Sequence, residues 1–368
     1  MKLLWLTWKD PYHPQAGGAE VVQAELCKRL VADGHQVTVL TAMYDSATTD
    51  EVRDGVRYIR GGNRYTVGLH AWRLYRQYGL RGWADQVIEE VNTGPFLARF
   101  YIKESHILFF HQLTKVVWFY QFPWFLAPVG YVAEIVALAL QWGRSVITVS
   151  DSTKADLVRH GFAADAISII SEGITIDPVD TLEDKPNERM LLSLGAWRPM
   201  KRTLDIVKAF EIAHASDPSL TLHLAGDDNG GYGASVLRYI QQSDHRDAVK
   251  VHGRVSHEEK MRLMRAAHAV AVTSIKEGWG LVVTEANSQG TPAVVYNVDG
   301  LRDSTRDGQT GLISAQNTPQ SLADSVTELL SDQDRYQQLR TAGWEWSKAI
   351  TFDQSYEDFM NIISAYGK

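Results

Sequence analysis

The sequence predicts an α/β protein of two similar domains, each built around a parallel sheet. Three observations carry that reading. Apolar runs of strand length alternate with amphipathic helical stretches from end to end, the pattern of parallel α/β units. The alternation breaks once, in a polar stretch from Glu172 to Arg189, and then resumes. A chain of 368 residues is also longer than one hydrophobic core comfortably serves.

In the first half, Leu3 to Trp8 reads as a strand, followed by a loop ending at Gly17-Gly18 and a helix from Ala19 to Ala32. Gly34-His35 stops that helix, and Gln36 to Thr41 is the next strand. Further strands are expected at Val56 to Arg60, Gln86 to Ile88, Ile107 to Phe110 and Ser145 to Val149. A helix then runs from Asp151 or Ser152 through Arg159, with Ser150 as a capping residue. The second half has expected strands at Met190 to Leu194, Thr221 to Ala225, Lys250 to His252, Ala269 to Thr273 and Ala293 to Tyr296. A last helix covers about Phe352 to Ala365. Two such halves joined by one linker predict a ligand cleft at the carboxyl ends of both sheets.

Composition excludes several classes. A formal charge of −7 argues against nucleic acid as the main partner. The only cysteine, Cys27, lies in a helical pattern, so there is no disulfide framework and a reducing cytoplasm is the expected location. The opening Met1 to Trp8 run is too short for a signal peptide. From Val116 to Ala133 the chain is almost wholly apolar and aromatic, but Pro123, Pro128 and Gly130 interrupt it, which excludes a spanning helix. Two readings stay open: a buried loop and core helix, or an exposed aromatic surface facing a membrane or lipidic acceptor.

The most informative stretch is Glu277-Gly278-Trp279-Gly280-Leu281-Val282-Val283-Thr284-Glu285. Glu277 falls in the loop after a strand, and Glu285 one turn into the helix that starts at Leu281. The glycines between them let backbone N–H groups at the helix start approach an anion. A carboxylate at each end of a phosphate cradle suits a sugar nucleotide. A ligand-free Gly turn before a helix is the bland alternative. Gly195-Ala196-Trp197-Arg198-Pro199-Met200-Lys201 follows a strand and offers two cations for a diphosphate. Gly17-Gly18-Ala19-Glu20 places a second helix start after a strand, without the G-x-G-x-x-G spacing of a dinucleotide site. His111 closes another strand at its carboxyl end.

Together these residues resemble the retaining glycosyltransferases of family 4, of the GT-B architecture, over almost the whole chain. The resemblance implies two Rossmann-like domains facing across a central cleft. An acceptor-side domain would span 1–172, with 352–368 crossing back to it, and a nucleotide-sugar domain 185–351. It implies that Glu277 hydrogen-bonds the transferred sugar and that Glu285 takes the ribose hydroxyls. Gly278, Trp279, Gly280, Leu281 and Val282 would line the donor cradle. Gly17 and Gly18 would approach the donor phosphate and sugar, His111 would contact the sugar, and Arg254 would lie where the family holds the base. Lys201 matches the family's lysine. The family's arginine slot holds Ala196, which leaves that role to Arg198 two positions on, or to Lys201 with Arg202 or an N-domain residue.

The implied activity is transfer of a hexose from a UDP- or GDP-type sugar to a hydroxyl of a glycan or lipid-linked acceptor, with no other cofactor. Same-face transfer follows, the leaving diphosphate helping to deprotonate the acceptor. Asp227-Asp228 beside a Gly-rich turn and Asp332-Gln333-Asp334 at a helix junction do not suit a diphosphate-bound ion, so no catalytic metal is expected. The alternatives are a sugar-nucleotide-binding protein without transferase activity, which the missing arginine favours, or an epimerase or phosphorylase on the same architecture. Peripheral membrane contact through 116–133 remains an expectation of the exposed-surface reading.

Overall fold

Most strands form where three to five consecutive, mainly apolar residues can be buried on both faces of a sheet, as parallel sheets require. The computed structural model describes residues 1–366 apart from 93, 228 and 229. They divide into unit 1, residues Met1–Gly173 with the C-terminal segment from Phe352, and unit 2, Ile174–Thr351.

Unit 1 runs β1 (Lys2–Leu6), α1 (Gly18–Ala32), β2 (Gln36–Thr41), β3 (Asp50–Arg53), β4 (Val56–Arg60), α2 (Val67–Gln77), β5 (Gln86–Glu90) and β6 (Ser105–Phe110). It continues through α3 (Trp118–Gln121), α4 (Ala127–Ala139), β7 (Ser145–Thr148), α5 (Asp151–Arg159) and β8 (Ile167–Ile169). The strands lie in the order β3-β4-β2-β1-β5-β6-β7-β8, parallel except for the β3–β4 hairpin. The alternation of side chains separates the layers. Leu3 and Trp5 pack with α1 residues Val22 and Leu26 on one face, and Leu4 and Leu6 with α2 residues Ala71 and Leu74 on the other.

Unit 2 contains β9 (Arg189–Leu194), α6 (Thr203–Ser216), β10 (Leu220–Ala225), α7 (Gly231–Gln242), β11 (Val249–Gly253), α8 (His257–Ala266) and β12 (Ala269–Val272). Then come α9 (Leu281–Ser288), β13 (Ala293–Val295), α10 (Leu301–Ser304), β14 (Gly311–Ile313), α11 (Pro319–Ser331) and α12 (Gln333–Ser347). Its sheet is parallel in the order β11-β10-β9-β12-β13-β14. Part of the linker-like stretch belongs to this unit. Ile176 is buried in its core, the Gln289 amide donates to the Asp177 carbonyl at 2.9 Å, and the Trp344 indole to that of Val179 at 2.8 Å.

The last helix, α13 (Phe352–Tyr366), returns to unit 1. Phe359 stacks on Trp5 at 5.8 Å, and Arg29 of α1 pairs with Asp353 at 2.8 Å. Phe359 and Ile363 are fully buried in the same layer as α1, so residues far apart in sequence complete one core. Phe359→Ala is therefore expected to cost about 3–5 kcal/mol of stability, measured by chemical denaturation. A loss below 1 kcal/mol would show that α13 is not needed for the unit 1 core.

Candidate active site

In each sheet the strand order reverses direction once, and loops leaving the carboxyl ends of the strands beside that point diverge to form a crevice. In unit 2 the point lies between β9 and β12. The loops after these two strands carry Lys201 and Glu277. Two hydrogen bonds hold the loops together: the Ile275 N–H donates to the Met200 carbonyl at 2.8 Å, and the Thr273 hydroxyl to that of Lys201 at 2.8 Å. The consequence is a contact between side chains 76 positions apart, Lys201 Nζ to Glu277 Oε1 at 2.5 Å. The Ser274 hydroxyl donates to the same carboxylate oxygen, and the Glu277 N–H donates to the Asp299 carbonyl at 3.1 Å. The backbone at Gly300 passes so close that a Cβ there would lie 2.3 Å from the Glu277 carbonyl oxygen.

Gly278, Trp279 and Gly280 form the turn into α9, and Leu281 and Val282 its first turn. Gly280 has φ +105°, a conformation that a residue with a side chain rarely adopts. No side chain caps this helix, which leaves its positive end open to an anion. One turn in, buried Glu285 meets Lys260 of α8 at 2.7 Å. Both carboxylates thus sit within reach of an ammonium.

The other expected donor residues are less engaged. Arg198 is exposed just after β9 and forms no ion pair among the described residues. Arg254 is exposed in the turn after β11. Asp228 lies outside the described residues. Among the described residues there is no group of three or more His, Cys, Asp or Glu placed to hold a metal ion.

In unit 1 the corresponding point lies between β1 and β5. Gly17 precedes α1, whose first residue is Gly18, and the Gly17 N–H donates to Glu20 at 2.6 Å. Lys9, from the loop after β1, pairs with Glu20 at 3.0 Å. Glu90 ends β5 and is fully buried, receiving the Trp5 indole at 2.9 Å and the Asn92 amide at 3.0 Å. Burial raises its pKa, against the opposing charge of His111. His111, just past β6, is also buried. Its Nδ1 is 3.1 Å from Glu172, and its Nε2 is 3.6 Å from Glu90 without a hydrogen bond. Burial opposes its protonation, but the hydrogen bond to Glu172 and the charges of Glu90, Glu172 and Glu20 outweigh that and raise its pKa. The ring also stacks on Phe109 at 4.6 Å.

Sequence reasoning missed Lys260, which in Glu258-Glu259-Lys260 reads as an ordinary solvated helix face. It also missed Glu90, because an acid ending an apolar strand gives no local sign of its partners. Glu172, read from the sequence as the start of the polar stretch, proves to be the residue that orients His111.

The aromatic segment divides between its two readings. Trp118 folds inward, its ring against Gly130 and its indole N–H donating to buried Glu134 at 2.9 Å. Phe119, Tyr120, Trp124 and Phe125 are exposed.

Residues 16–178 match the family described as Glycosyltransferase Family 4, and residues 180–346 match Glycosyl transferases group 1. A glycogen synthase from Mycobacterium tuberculosis is 26% identical over 95% of this chain and 93% of its own length. A D-inositol 3-phosphate glycosyltransferase from Paenarthrobacter aurescens is 30% identical over 49% of this chain and 46% of its own. Among solved structures, sucrose-phosphate synthase from Thermosynechococcus elongatus superposes with a TM-score of 0.82 at 21% identity, covering 99% of this chain and 98% of that one. Anabaena HepE, solved in complex with UDP and glucose, gives 0.76 at 18% identity, covering 99% and 100%. These two share the two-domain GT-B fold.

A raised His111 pKa has a consequence for stability. The interaction with its acids is fully present below the unfolded value of 6.5 and is lost as pH rises through the higher folded value. His111→Gln should therefore lower the melting temperature more at pH 6 than at pH 9, by about 2–4 °C per kcal/mol. An equal loss at both values would mean that the imidazolium is not the stabilising form.

Proposed function

The chain belongs to glycosyltransferase family 4 of the GT-B architecture, and from that premise we propose a retaining hexosyltransferase acting with a nucleoside-diphosphate sugar. The observation that carries this reading is the contact of Lys201 with Glu277 beside the uncapped start of α9. A hexose diphosphate needs cationic and N–H partners at the phosphates, and acceptors for the hydroxyls of the sugar beside them. Lys201 and the α9 N-terminus supply the first, and Glu277 the second. Glu285, a carboxylate paired with Lys260 one turn further on, suits the ribose hydroxyls.

In the proposed reaction the acceptor oxygen bonds to the anomeric carbon as the bond from that carbon to the diphosphate oxygen breaks. The acceptor proton passes to the departing phosphate on the same face, and Lys201 stabilises the charge that develops there, aided by Arg198. A fixed ammonium and a helix dipole do the work of a divalent ion, so the reaction is proposed to be metal-independent. The acceptor, a hydroxyl of a glycan or lipid-linked saccharide, is assigned to unit 1. His111 is assigned the sugar contact that the family resemblance implies. A cytoplasmic location fits a single buried thiol. Donor turnover that depends on an added acceptor, with the anomeric configuration kept by NMR, tests the reading. Binding of donor without turnover under any acceptor would overturn it.

Glu285→Gln should weaken binding of the free nucleoside diphosphate, while Glu277→Gln should leave that affinity largely intact and lower turnover of the full donor. Calorimetry with the nucleotide alone separates the two, and unchanged affinity in the Glu285 variant would remove its ribose role.

Lys201→Ala should lower kcat by on the order of 10²-fold or more, with wild-type activity persisting in EDTA. A strict, reversible need for magnesium or manganese would defeat the metal-independent mechanism. Near-normal kinetics in Arg198→Ala would show that this arginine has not taken over the role left open at Ala196.

A further inference from the structure

Helix α4 is inside out for a helix on the surface of a soluble domain. Its only charged residue, Glu134, is buried, whereas Val129 (65% exposed), Val132, Ile135 and Val136 face outward. A helix apolar on most sides normally lies in a core or in lipid. Glu134 is turned inward for a structural reason: it accepts hydrogen bonds from the Thr114 N–H at 2.7 Å, the Lys115 N–H at 2.8 Å and the Trp118 indole at 2.9 Å. That leaves the outward side without polar groups, and it continues into Phe119, Trp124 (83% exposed) and Phe125.

Helix α2 extends the same surface. The registers Leu6↔Glu89 and Glu89↔Leu108 put these residues on one face of the sheet. Leu6 packs with α2, and Leu108 with Leu138 of α4, so both helices cover that face. Along α2, the positions three, four and seven after Leu69 (77% exposed) are Trp72, Arg73 and Arg76, one outward stripe. The Arg76 guanidinium lies 5.3 Å over the Trp72 ring. Just before the helix, Arg64 lies 5.7 Å over Phe122, joining the α2 and α3 regions.

The charge of this surface selects what covers it. Between residues 63 and 144 there are eight Lys or Arg and five Asp or Glu, in a chain with 37 and 44 overall. Three of those acids, Glu89, Glu90 and Glu134, are buried, whereas Arg64, Arg73, Arg76 and Arg81 are exposed. A second copy of the chain laid on the same face would oppose arginines to arginines. An anionic phospholipid bilayer offers apolar depth for the rings and phosphates for the guanidinium groups. We propose that the outer face of α2, α3 and α4 is a docking surface for an anionic bilayer. The surface is independent of the transferase chemistry assigned above, and donor binding reads that chemistry separately.

The test is cosedimentation of the full chain with vesicles of phosphatidylglycerol and phosphatidylcholine, against phosphatidylcholine alone. Binding is expected only with the anionic lipid and should weaken as salt rises. The double variant Trp124→Ser with Phe125→Ser should reduce the bound fraction about tenfold or more, as should Arg73→Glu with Arg76→Glu. Since these side chains are exposed, the melting temperature and nucleotide affinity should be unchanged. The proposal is overturned if the wild-type chain stays in the supernatant with every vesicle, or if the variants bind as well as it does. It is overturned too if the wild-type chain runs as a dimer that the Trp124 and Phe125 changes dissociate, which would make a second copy the occupant.

Discussion

A carboxylate on a loop at the carboxyl end of a parallel sheet must be solvated or paired, and Glu277 is paired with Lys201 and Ser274. That contact is a product of topology. The strand order places the loop after β9 beside the loop after β12, and hydrogen bonds from Ile275 and Thr273 clamp one to the other. The ammonium and the carboxylate neutralise each other and fix each other's position. Pre-organisation of this kind lowers the cost of ordering side chains when a charged substrate enters. The same arrangement recurs one helical turn on, where Lys260 holds Glu285. The proposed donor half of the site is therefore two carboxylates, each steadied by a lysine, on either side of an uncapped helix start.

Unit 1 solves a different electrostatic problem. Glu20, Glu90 and Glu172 are all buried close enough to His111 to raise its pKa despite the burial of the ring. Three buried acids repel one another, and a single imidazolium is a poor match for their summed charge. The conflict is partly relieved by Lys9 on Glu20 and by the upward shift of the Glu90 pKa. Polar groups kept in tension like this tend to mark functional sites, because packing alone would favour apolar replacements. Glu172 is a positioning residue here, since it fixes Nδ1 and leaves Nε2 without a hydrogen bond.

Most of the fold was legible because most of its strands are short, buried and rich in apolar residues, and alternate with helical stretches. The elements that escaped were short edges. Strands β8 and β14 have three residues each, and β3 is Asp-Glu-Val-Arg, too charged to read as a strand. A signal for β3 was nonetheless present: Asp54-Gly55 both take positive φ, the two-residue hairpin turn that such a pair favours. In the site, the glutamates and Lys201 could be read because glycines and strand ends frame them in sequence. The partners Lys260 and Glu90 could not, because their significance lies in contacts 25 and 21 positions away, Lys260 with Glu285 and Glu90 with His111. The aromatic segment was ambiguous for a related reason: composition alone does not say which way each ring turns, and Glu134 decides it.

That single acid also ties the apolar helix to the loop that follows His111. The N–H groups that Glu134 receives belong to Thr114 and Lys115, three and four residues beyond His111 on the same loop. Lys115 has a positive φ of 40°, a strained conformation that persists only where surrounding contacts enforce it. The His111 carbonyl is held in turn by the Thr153 hydroxyl at 3.3 Å. The loop is thus pinned at its start by α5 and at its end by α4. An aliphatic replacement of Glu134 would make the inner face of α4 wholly apolar but would leave the Thr114 and Lys115 N–H groups and an indole without their acceptor. The inverted polarity of α4 therefore follows from fixing the His111 loop. Anything seated on the outer face of that helix is held at a set distance from the buried histidine and its acids.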